Sequence, residues 1–463
     1  MAITNIAWAE QVSAASPLPD QRMKSRLTSI IADAMDSPSA SIPQATGGNA
    51  AQAKATYRFY ANRRVNGSIL NHGFGLETAR RCIGQRCILV VHDTTTLNFT
   101  GLHSITELGP IDSGNLASGM HLHSAMGLTV QGNVIGILDQ QCWARPQPKQ
   151  KKKNESKEKE SSKWIHGMES ARSVLYEAAG ELAVPRLIHL MDREGDTYEV
   201  MMVVEDSDDS AIIRSVQNRR TDDPLAKSHQ AIRNQPVLVQ ASIEVKRKKD
   251  TPQRTALVEV RLMAVTLEPD LQKYPHAWPM RWNLVEVWEP TPPAEVEPLH
   301  WLLWTREIAT TADDALEVVR KYTCRWPIEE MHLVLKSGCR VEDLRLETWG
   351  RLENAVRVNA SVAARIVMLR DLARETPQIS ALQVLEKDEV EVLVNHFGKE
   401  KAIPAADLTI GQAVLWIGRL GGHLNRKSDG MPGVRTMWRG LQALTLLVAG
   451  FHAGLRVGQK MLE

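Results

Sequence analysis

The 463-residue sequence contains no CxxC pair; its five cysteines, Cys82, Cys87, Cys142, Cys324 and Cys339, are an odd number at unrelated spacings. That excludes a disulfide scaffold and suits reduced thiols packed as small apolar groups. Neither sign of charge dominates: 56 Lys and Arg stand against 54 Asp and Glu, a net charge of +2. A balance near zero neither demands nor excludes nucleic acid, because local clustering is what binds phosphate. The opening MAITNIAWAEQ lacks a basic start and a long apolar run, so no signal peptide is expected. The longest strongly apolar stretch, around Ala443–Leu455, reads as too short to span a bilayer and is interrupted by His452. Internal repeats are absent. Phe (5) and Tyr (6) together fall short of Trp (12), and surplus Trp serves either as core filling or as stacking surface. What is present is ordinary for a soluble globular protein, with 43% hydrophobic and 24% charged residues. The length allows about three domains and a sizeable core. The expectation is a soluble, cytoplasmic protein with no membrane partner.

Residues 1–70 read as helical and basic. Arg22, Lys24 and Arg26 follow Pro19-Asp20, and Tyr57-Arg58-Phe59-Tyr60 with Arg63 and Arg64 follows Gly47-Gly48. Aromatics interleaved with Arg suit phosphate contact plus packing, although a solvated helix face carries the same residues. Cys87–Val91 is a continuous apolar run, a strand buried on both faces, and it ends in His92-Asp93-Thr94-Thr95. Ser124–Val130 and Val134–Leu138 flank Gln131-Gly132-Asn133, a hairpin signal. A spacer follows in which Lys149, Lys151, Lys152, Lys153, Lys157, Lys159 and Lys163 alternate with Glu155, Glu158 and Glu160; it reads as an exposed loop. Next come a helix over Trp164–Leu182, a strand over Arg186–Met191 ending in Asp192, a short helix over Asp196–Val204 and a strand over Ala211–Val216. That order predicts a mixed sheet with helical crossovers, an α/β architecture. Residues 222–305 break the pattern. Val237–Lys246 and Thr255–Val265 flank the basic turn Lys246–Lys249, and Asn283–Trp288 and Trp301–Thr305 add strands, so this block reads as a β-rich insertion. Helices resume at Thr311–Tyr322, Pro327–Lys336 and Arg351–Leu372, and residues 373–463 are mostly helical with a Gly-rich break at Gly418–Gly422.

Two of these strands end in an acid. Ligands of such sheets sit beyond the carboxyl ends of parallel strands, and a helical crossover brings those ends together. If the two strands pair, Asp93 and Asp192 lie side by side, and two carboxylates held together call for a cation. Oxygen ligands select Mg²⁺ or Mn²⁺. Each acid is equally readable as a turn former or helix cap. A third acid comes from Glu329, which Pro327 places at the start of a new helix, with Lys336 two turns along the same face. Tyr322 and Arg325 precede it closely enough to fold back beside it, and Glu329 alone is also what an ordinary amphipathic helix presents.

Tyr322, Arg325, Glu329 and Lys336 are spaced as Tyr-x-x-Arg-x-x-x-Glu-x-x-x-x-x-x-Lys. Tyr57-Arg58-Phe59, His92-Asp93-Thr94-Thr95, Asp192-Arg193-Glu194, Trp301-Leu302-Leu303 and Arg419-Leu420-Gly421-Gly422 accompany them along nearly the whole chain. In this order they resemble the bacterial cut-and-paste DDE transposases with the YREK signature, the transposon-five type within the insertion-sequence-four family. Pro327 stands where that motif tolerates other residues.

The resemblance implies a ribonuclease-H-like catalytic domain over 71–372, interrupted by the 222–305 insertion. It also implies an N-terminal DNA-end-binding domain over 1–70 and a C-terminal helical dimerisation domain over 373–463. It implies metal-dependent phosphoryl transfer on DNA in which Asp93, Asp192 and Glu329 hold two Mg²⁺ ions, with Mn²⁺ able to substitute. Transposon ends are nicked, closed into hairpins, resolved and joined to target DNA by a synaptic homodimer. In this scheme Arg325 and Lys336 clamp phosphates, Tyr322 donates a hydrogen bond to one, and Trp301 stacks on a flipped base. Arg214, Arg219 and Arg220 are further backbone contacts, and Arg22, Lys24, Arg26 and Arg58 recognise the ends. The competing readings are a catalytically silent end-binding repressor and a ribonuclease-H-like nuclease without joining activity.

Overall fold

The computed structural model describes residues 3–38, 41–146, 161–222, 227–245, 253–398, 403–426 and 429–462. The N-terminal part is helical: α1 (Asn5–Ala15), α2 (Gln21–Asp36), the short α3 (Ile42–Ala45), α4 (Ala50–Tyr60) and α5 (Gly67–Cys82). Asx caps set where they begin: the Asp20 side chain accepts from Met23 N (2.9 Å) ahead of α2, and Asn66 from Ile69 N (3.0 Å) ahead of α5.

The middle of the chain is a ten-stranded mixed sheet. Its first half comprises β1 (Cys87–Asn98), the two-residue β2 (Gly109–Pro110), β3 (Ser118–Leu128) and β4 (Val134–Trp143). Then α6 (Ser162–Ala179), β5 (Arg186–Met191), α7 (Tyr198–Glu205) and β6 (Ser210–Arg214) follow. β4, β3 and β1 form an antiparallel meander, and β5 and β6 join it in parallel. The order β4-β3-β1-β5-β6, with α6 and α7 as the crossovers between its parallel strands, is the mixed sheet of an α/β architecture. The hairpin turn falls where its residues require it: Gly132 has φ 92°, a left-handed conformation that costs a side chain.

The 222–305 block contributes α8 (Ser228–Arg233), β7 (Val239–Val245), β8 (Arg254–Leu267), β9 (Met280–Trp288) and β10 (His300–Thr305). The block expected as an insertion does not form a sheet of its own. β10 pairs with β6 on one side and β9 on the other, so the sheet continues without a break to β7. The edge of β6, which would present unpaired backbone groups, is covered in this way. The basic turn Lys246–Lys249 and the spacer lysines 149–159 lie outside the described residues.

Three further expectations are corrected. β1 does not end at Asp93. Its pairing with β5 stops at Val91↔Leu190, but β3 stays paired with it as far as Asn98↔Gly119. The expected boundary at 372/373 falls inside α11 (Trp349–Glu375), a largely buried helix against which α10 (Trp326–Leu333), α5 and β4 pack. Lys163 does not belong to a solvated spacer. It is buried at the start of α6, where its Nζ bonds Glu194 (2.9 Å) and stands 5.6 and 5.5 Å from the ring centres of Trp143 and Trp164.

After α9 (Ala312–Thr323), α10 and α11 come α12 (Lys387–Phe397), α13 (Ile410–Leu420) and the 29-residue α14 (Val434–Leu462). α13 and α14 cross closely: a Cβ on Gly421 would overlap the Thr436 carbonyl, and one on Gly440 the Ile417 carbonyl. The apolar stretch near the C-terminus is longer than the sequence reading allowed. Within α14, Val434–Gln459 is long and apolar enough to cross a membrane by length and composition, with 17% of the apolar window buried. Helical continuity from Val434 brings Leu446, Leu455 and Val457 onto one exposed rod.

Candidate active site and DNA-facing surfaces

The parallel ladder places the first two acids. The β1–β5 register ends at Val91↔Leu190, so Asp93 and Asp192 each lie two residues past the last pair, near enough for the Asp192 charge to act on Asp93. Asp93 accepts from Thr94 N (2.8 Å). Asp192 also caps the 3₁₀ turn Arg193–Gly195, accepting from Glu194 N (2.9 Å), so its turn-forming role and its place beside Asp93 coexist.

α10 supplies the third acid. Pro327 sits in the first helical turn and Glu329 with it. The neighbouring Glu330 pairs with Arg370 (2.8 Å), which also holds Asp371 (2.7 Å), and this largely buried network fixes α10 to α11. Arg325 then joins the acids: one guanidinium nitrogen reaches Asp93 Oδ2 (3.3 Å) and another Glu329 Oε1 (2.8 Å). Burial pushes the Asp93 carboxyl up to about 7; Arg325 opposes the rise, while the charges of Glu329 and Asp192 add to it. Burial raises Asp192 as well, against the Glu194 N–H bond and Arg325. Arg325 bridges two of these acids, Asp93 and Glu329, while Asp192 feels its charge and that of Lys163 without a direct bond to Arg325 among the described contacts.

The remaining YREK residues surround this cluster. Tyr322, buried at the end of α9, meets the Trp301 ring edge-on at 5.3 Å. Burial raises its hydroxyl, and its charged neighbours are Arg325, Arg214, Asp192 and Arg193. Trp301 is part-buried in β10. Arg214, at the end of β6, donates to the His300 carbonyl (3.3 Å) and faces the same group. Lys336 departs from expectation: the regular helix stops at Leu333, and Val334–Gly338 form a π-turn closed by Cys339 N to Val334 O (2.7 Å). The wider turn rotates Lys336 away from the two-turn spacing. It is half-exposed, and its charge still acts on His332.

Arg219 and Arg220 divide. Arg219 is buried, bonded to the Asp196 carboxylate (2.5 Å) and carbonyl (2.9 Å) and lying over the Tyr198 ring (5.1 Å). Its charge is consumed by a buried acid that also accepts from Val216 and Gln217, so it does not face DNA. Arg220 is exposed.

The N-terminal cations divide by helix face. Arg22 and Arg26, four residues apart on α2, line a groove of about 480 Å³ together with Arg58, Arg64 and Phe59 of the α4 segment. Lys24, two residues from each, turns toward α1 and reaches the Ala14 carbonyl (3.4 Å).

Three further residues stand near the acids. Lys163 belongs by sequence to the spacer, and Glu194 to the Asp192-Arg193-Glu194 stretch. Glu194, the partner of Lys163, caps nothing and carries its charge beside Asp192. His332 stands three residues beyond Glu329, a spacing visible in the sequence; burial holds it down at about 4, and its Nδ1 is 3.8 Å from Asp93 Oδ2. Behind Asp93, His92 Nε2 and His189 Nδ1 are 2.9 Å apart in the sheet interior.

Comparison with known families matches two parts of the chain. Residues 5–65 match the transposase DNA-binding family, a stretch that includes the arginine-lined groove. Residues 361–457 match the Tn5 transposase dimerisation domain, from within α11 to near the end of α14.

Proposed function

We propose that this chain, a Tn5-like transposase by its two terminal domains, cuts and joins DNA with Asp93, Asp192 and Glu329 as its catalytic acids. The observation that carries the reading is Arg325 joining Asp93 of β1 to Glu329 of the first turn of α10, with Asp192, just past the end of β5, near enough for its charge to act on Asp93. The donor set fits hard divalent ions. It offers carboxylate oxygens held close together, one of them on a buried group that resists ionisation without a positive charge nearby. Asp93, Asp192 and Glu329 would hold Mg²⁺, or Mn²⁺ in its place. When bound, such ions supply charge for the attacking and leaving oxygens of an in-line displacement at phosphorus.

The chain's own residues orient the substrate. Arg325, able to make two parallel bonds, holds a phosphate beside the acids, and Lys336 adds a more distant point charge. The Tyr322 hydroxyl donates to a phosphate oxygen. Arg214 extends the positive surface along the sheet edge. Attack by water on the phosphodiester releases a 3′-hydroxyl; attack by that hydroxyl on the opposite strand closes a hairpin and expels the flanking DNA; a second water opens the hairpin and restores the 3′-hydroxyl, whose attack on a target phosphodiester joins the end and breaks the target strand. Trp301 offers a ring for a base displaced as the hairpin bends. Arg22, Arg26 and Arg58 grip the duplex end, with affinity that falls steeply with salt. A second copy covers exposed apolar residues of α14, so the length of that helix serves assembly, in keeping with the match of residues 361–457 to a dimerisation domain.

The test is to incubate the protein with Mg²⁺ and DNA carrying its ends. Nicks, hairpins and joined products are expected. Asp93→Asn, Asp192→Asn and Glu329→Gln each abolish all three while leaving end binding in a mobility-shift assay unchanged. Near-normal cutting by any one of them refutes the assignment. Binding without cuts by the wild type identifies a silent repressor, and cuts without hairpins or joining a nuclease.

A further inference from the structure

The acids leave one buried neighbour unexplained. His332 is 6% exposed, and its Nε2 has no hydrogen-bond partner. It sits on the same face of α10 as Glu329, three residues on, and its Nδ1 is 3.8 Å from Asp93 Oδ2. One ligand-capable atom from each of Asp93, Glu329 and His332 lies within 4.8 Å of the others. Two ligands of one ion, each about 2.1 Å away, stand at most about 4.2 Å apart, so a contraction of about half an ångström closes the set. A glutamate and a histidine at this helical spacing are a known way for a helix to present a carboxylate and an imidazole to one metal. Buried His92, His123 and His189 also each leave one ring nitrogen without a partner, so what sets His332 apart is its place beside the two carboxylates. With its proton on Nε2, His332 turns the Nδ1 lone pair toward the two carboxylates.

We propose that His332 is a nitrogen ligand of the ion shared by Asp93 and Glu329, biasing that half of the site toward Mn²⁺ over Mg²⁺. The proposal rests on the reading that these acids hold divalent ions. Imidazole suits first-row transition metals, whereas Mg²⁺ prefers oxygen, so the bias follows from the donor type. An ion there also takes over the neutralising role that Arg325 plays between the same carboxylates, which frees the guanidinium for phosphate.

The experiment is electron spin-echo envelope modulation of Mn²⁺ bound to the full-length chain, natural-abundance and ¹⁵N-histidine-labelled. Imidazole ¹⁴N modulation is expected, converted to ¹⁵N by the label and lost in His332→Gln. The same variant weakens Mn²⁺ binding about tenfold or more, the lower end of what disturbing a metal site costs, while Mg²⁺ affinity stays within about twofold. Mn²⁺ that binds, depends on Asp93 and Glu329, and gives no nitrogen modulation overturns the ligand role of His332 and leaves the acids as the ion site. Mn²⁺ that fails to bind, or binds equally in Asp93→Asn and Glu329→Gln, overturns the acid reading itself. The wild-type spectrum decides between these outcomes, so the result does not hang on how a variant folds.

Discussion

Neutralising a single carboxylate far from the active site should stabilise this protein, by an amount that grows as the pH rises from about 4.5 to about 7. α1, α2, α12 and α14 meet at a group of acids. Glu386 accepts from Ile6 N (3.2 Å), and Thr445 donates to the Asp36 carbonyl (2.6 Å). Glu389 closes the capping box of α12 by accepting from Glu386 N (2.8 Å). Burial pushes Glu389 up to about 7, against that hydrogen bond and with the charges of Asp36 and Glu386 adding; burial likewise takes Asp36 to about 6. A carboxyl raised in the folded state contributes its full stability below its unfolded value, and that stability is lost as pH rises through the folded one. For Glu389 the rise from 4.5 to about 7 corresponds to an ionisation cost of roughly 3 kcal/mol at pH 8, at about 1.4 kcal/mol per tenfold change in proton affinity. At pH 5 the cost is under about 1 kcal/mol. Glu389→Gln removes the charge and keeps an oxygen for the cap. Because Glu389 retains some exposure to water, a net gain of about 2 kcal/mol is expected at pH 8, or a Tm increase of about 2 °C for a chain of 463 residues. Thermal unfolding of both proteins at pH 5 and pH 8 measures it, and Asp36→Asn added to Glu389→Gln should contribute less than it does alone. An equal gain at both pH values, or a loss at pH 8, refutes the reasoning.

Other expectations follow from where the cations and apolar groups point. Arg26→Ala and Arg58→Ala should weaken end binding in mobility-shift titrations and each lower the salt slope by about 1, whereas an unchanged slope would remove the groove from the interface. Arg219→Ala should leave that slope intact and destabilise the fold by about 3 kcal/mol in denaturant titration, because Asp196 stays buried without its cation. Leu446→Asp or Leu455→Asp, at exposed positions of α14, should shift the protein from dimer to folded monomer in light scattering; a dimer that persists would place the interface elsewhere. Trp301→Ala should slow hairpin closure more than the first nick in single-turnover gels, and equal slowing would reduce the ring to packing.

What was legible in the sequence, and what was not, divides along a physical line. Cys87–Val91 and Arg186–Met191 announced themselves because a strand buried on both faces has to be apolar throughout. Once those strands pair in parallel, Asp93 and Asp192 emerge at the same end of the sheet. The extension of β1 to Asn98 was not legible, since it depends on β3 remaining paired after β5 has turned away. Glu329 lies far from both aspartates in the chain, and only the motif, not any periodicity, tied it to them. The cations are the instructive case. Arg26 and Arg219 look alike in sequence, yet one lines an open groove and the other is bonded to Asp196, 23 residues away. Lys163 reads as one more lysine of a spacer until Glu194 and two indoles enclose it. A cation is available to DNA only if no buried carboxylate has claimed it, and that contest is settled by tertiary neighbours. Lys24 needed no such knowledge: two residues along a helix from Arg22 and Arg26 is enough to turn it to another face. His332 lies between these cases, its spacing from Glu329 plain in the sequence but its burial against Asp93 supplied only by the packing of α10 on β1 and α11.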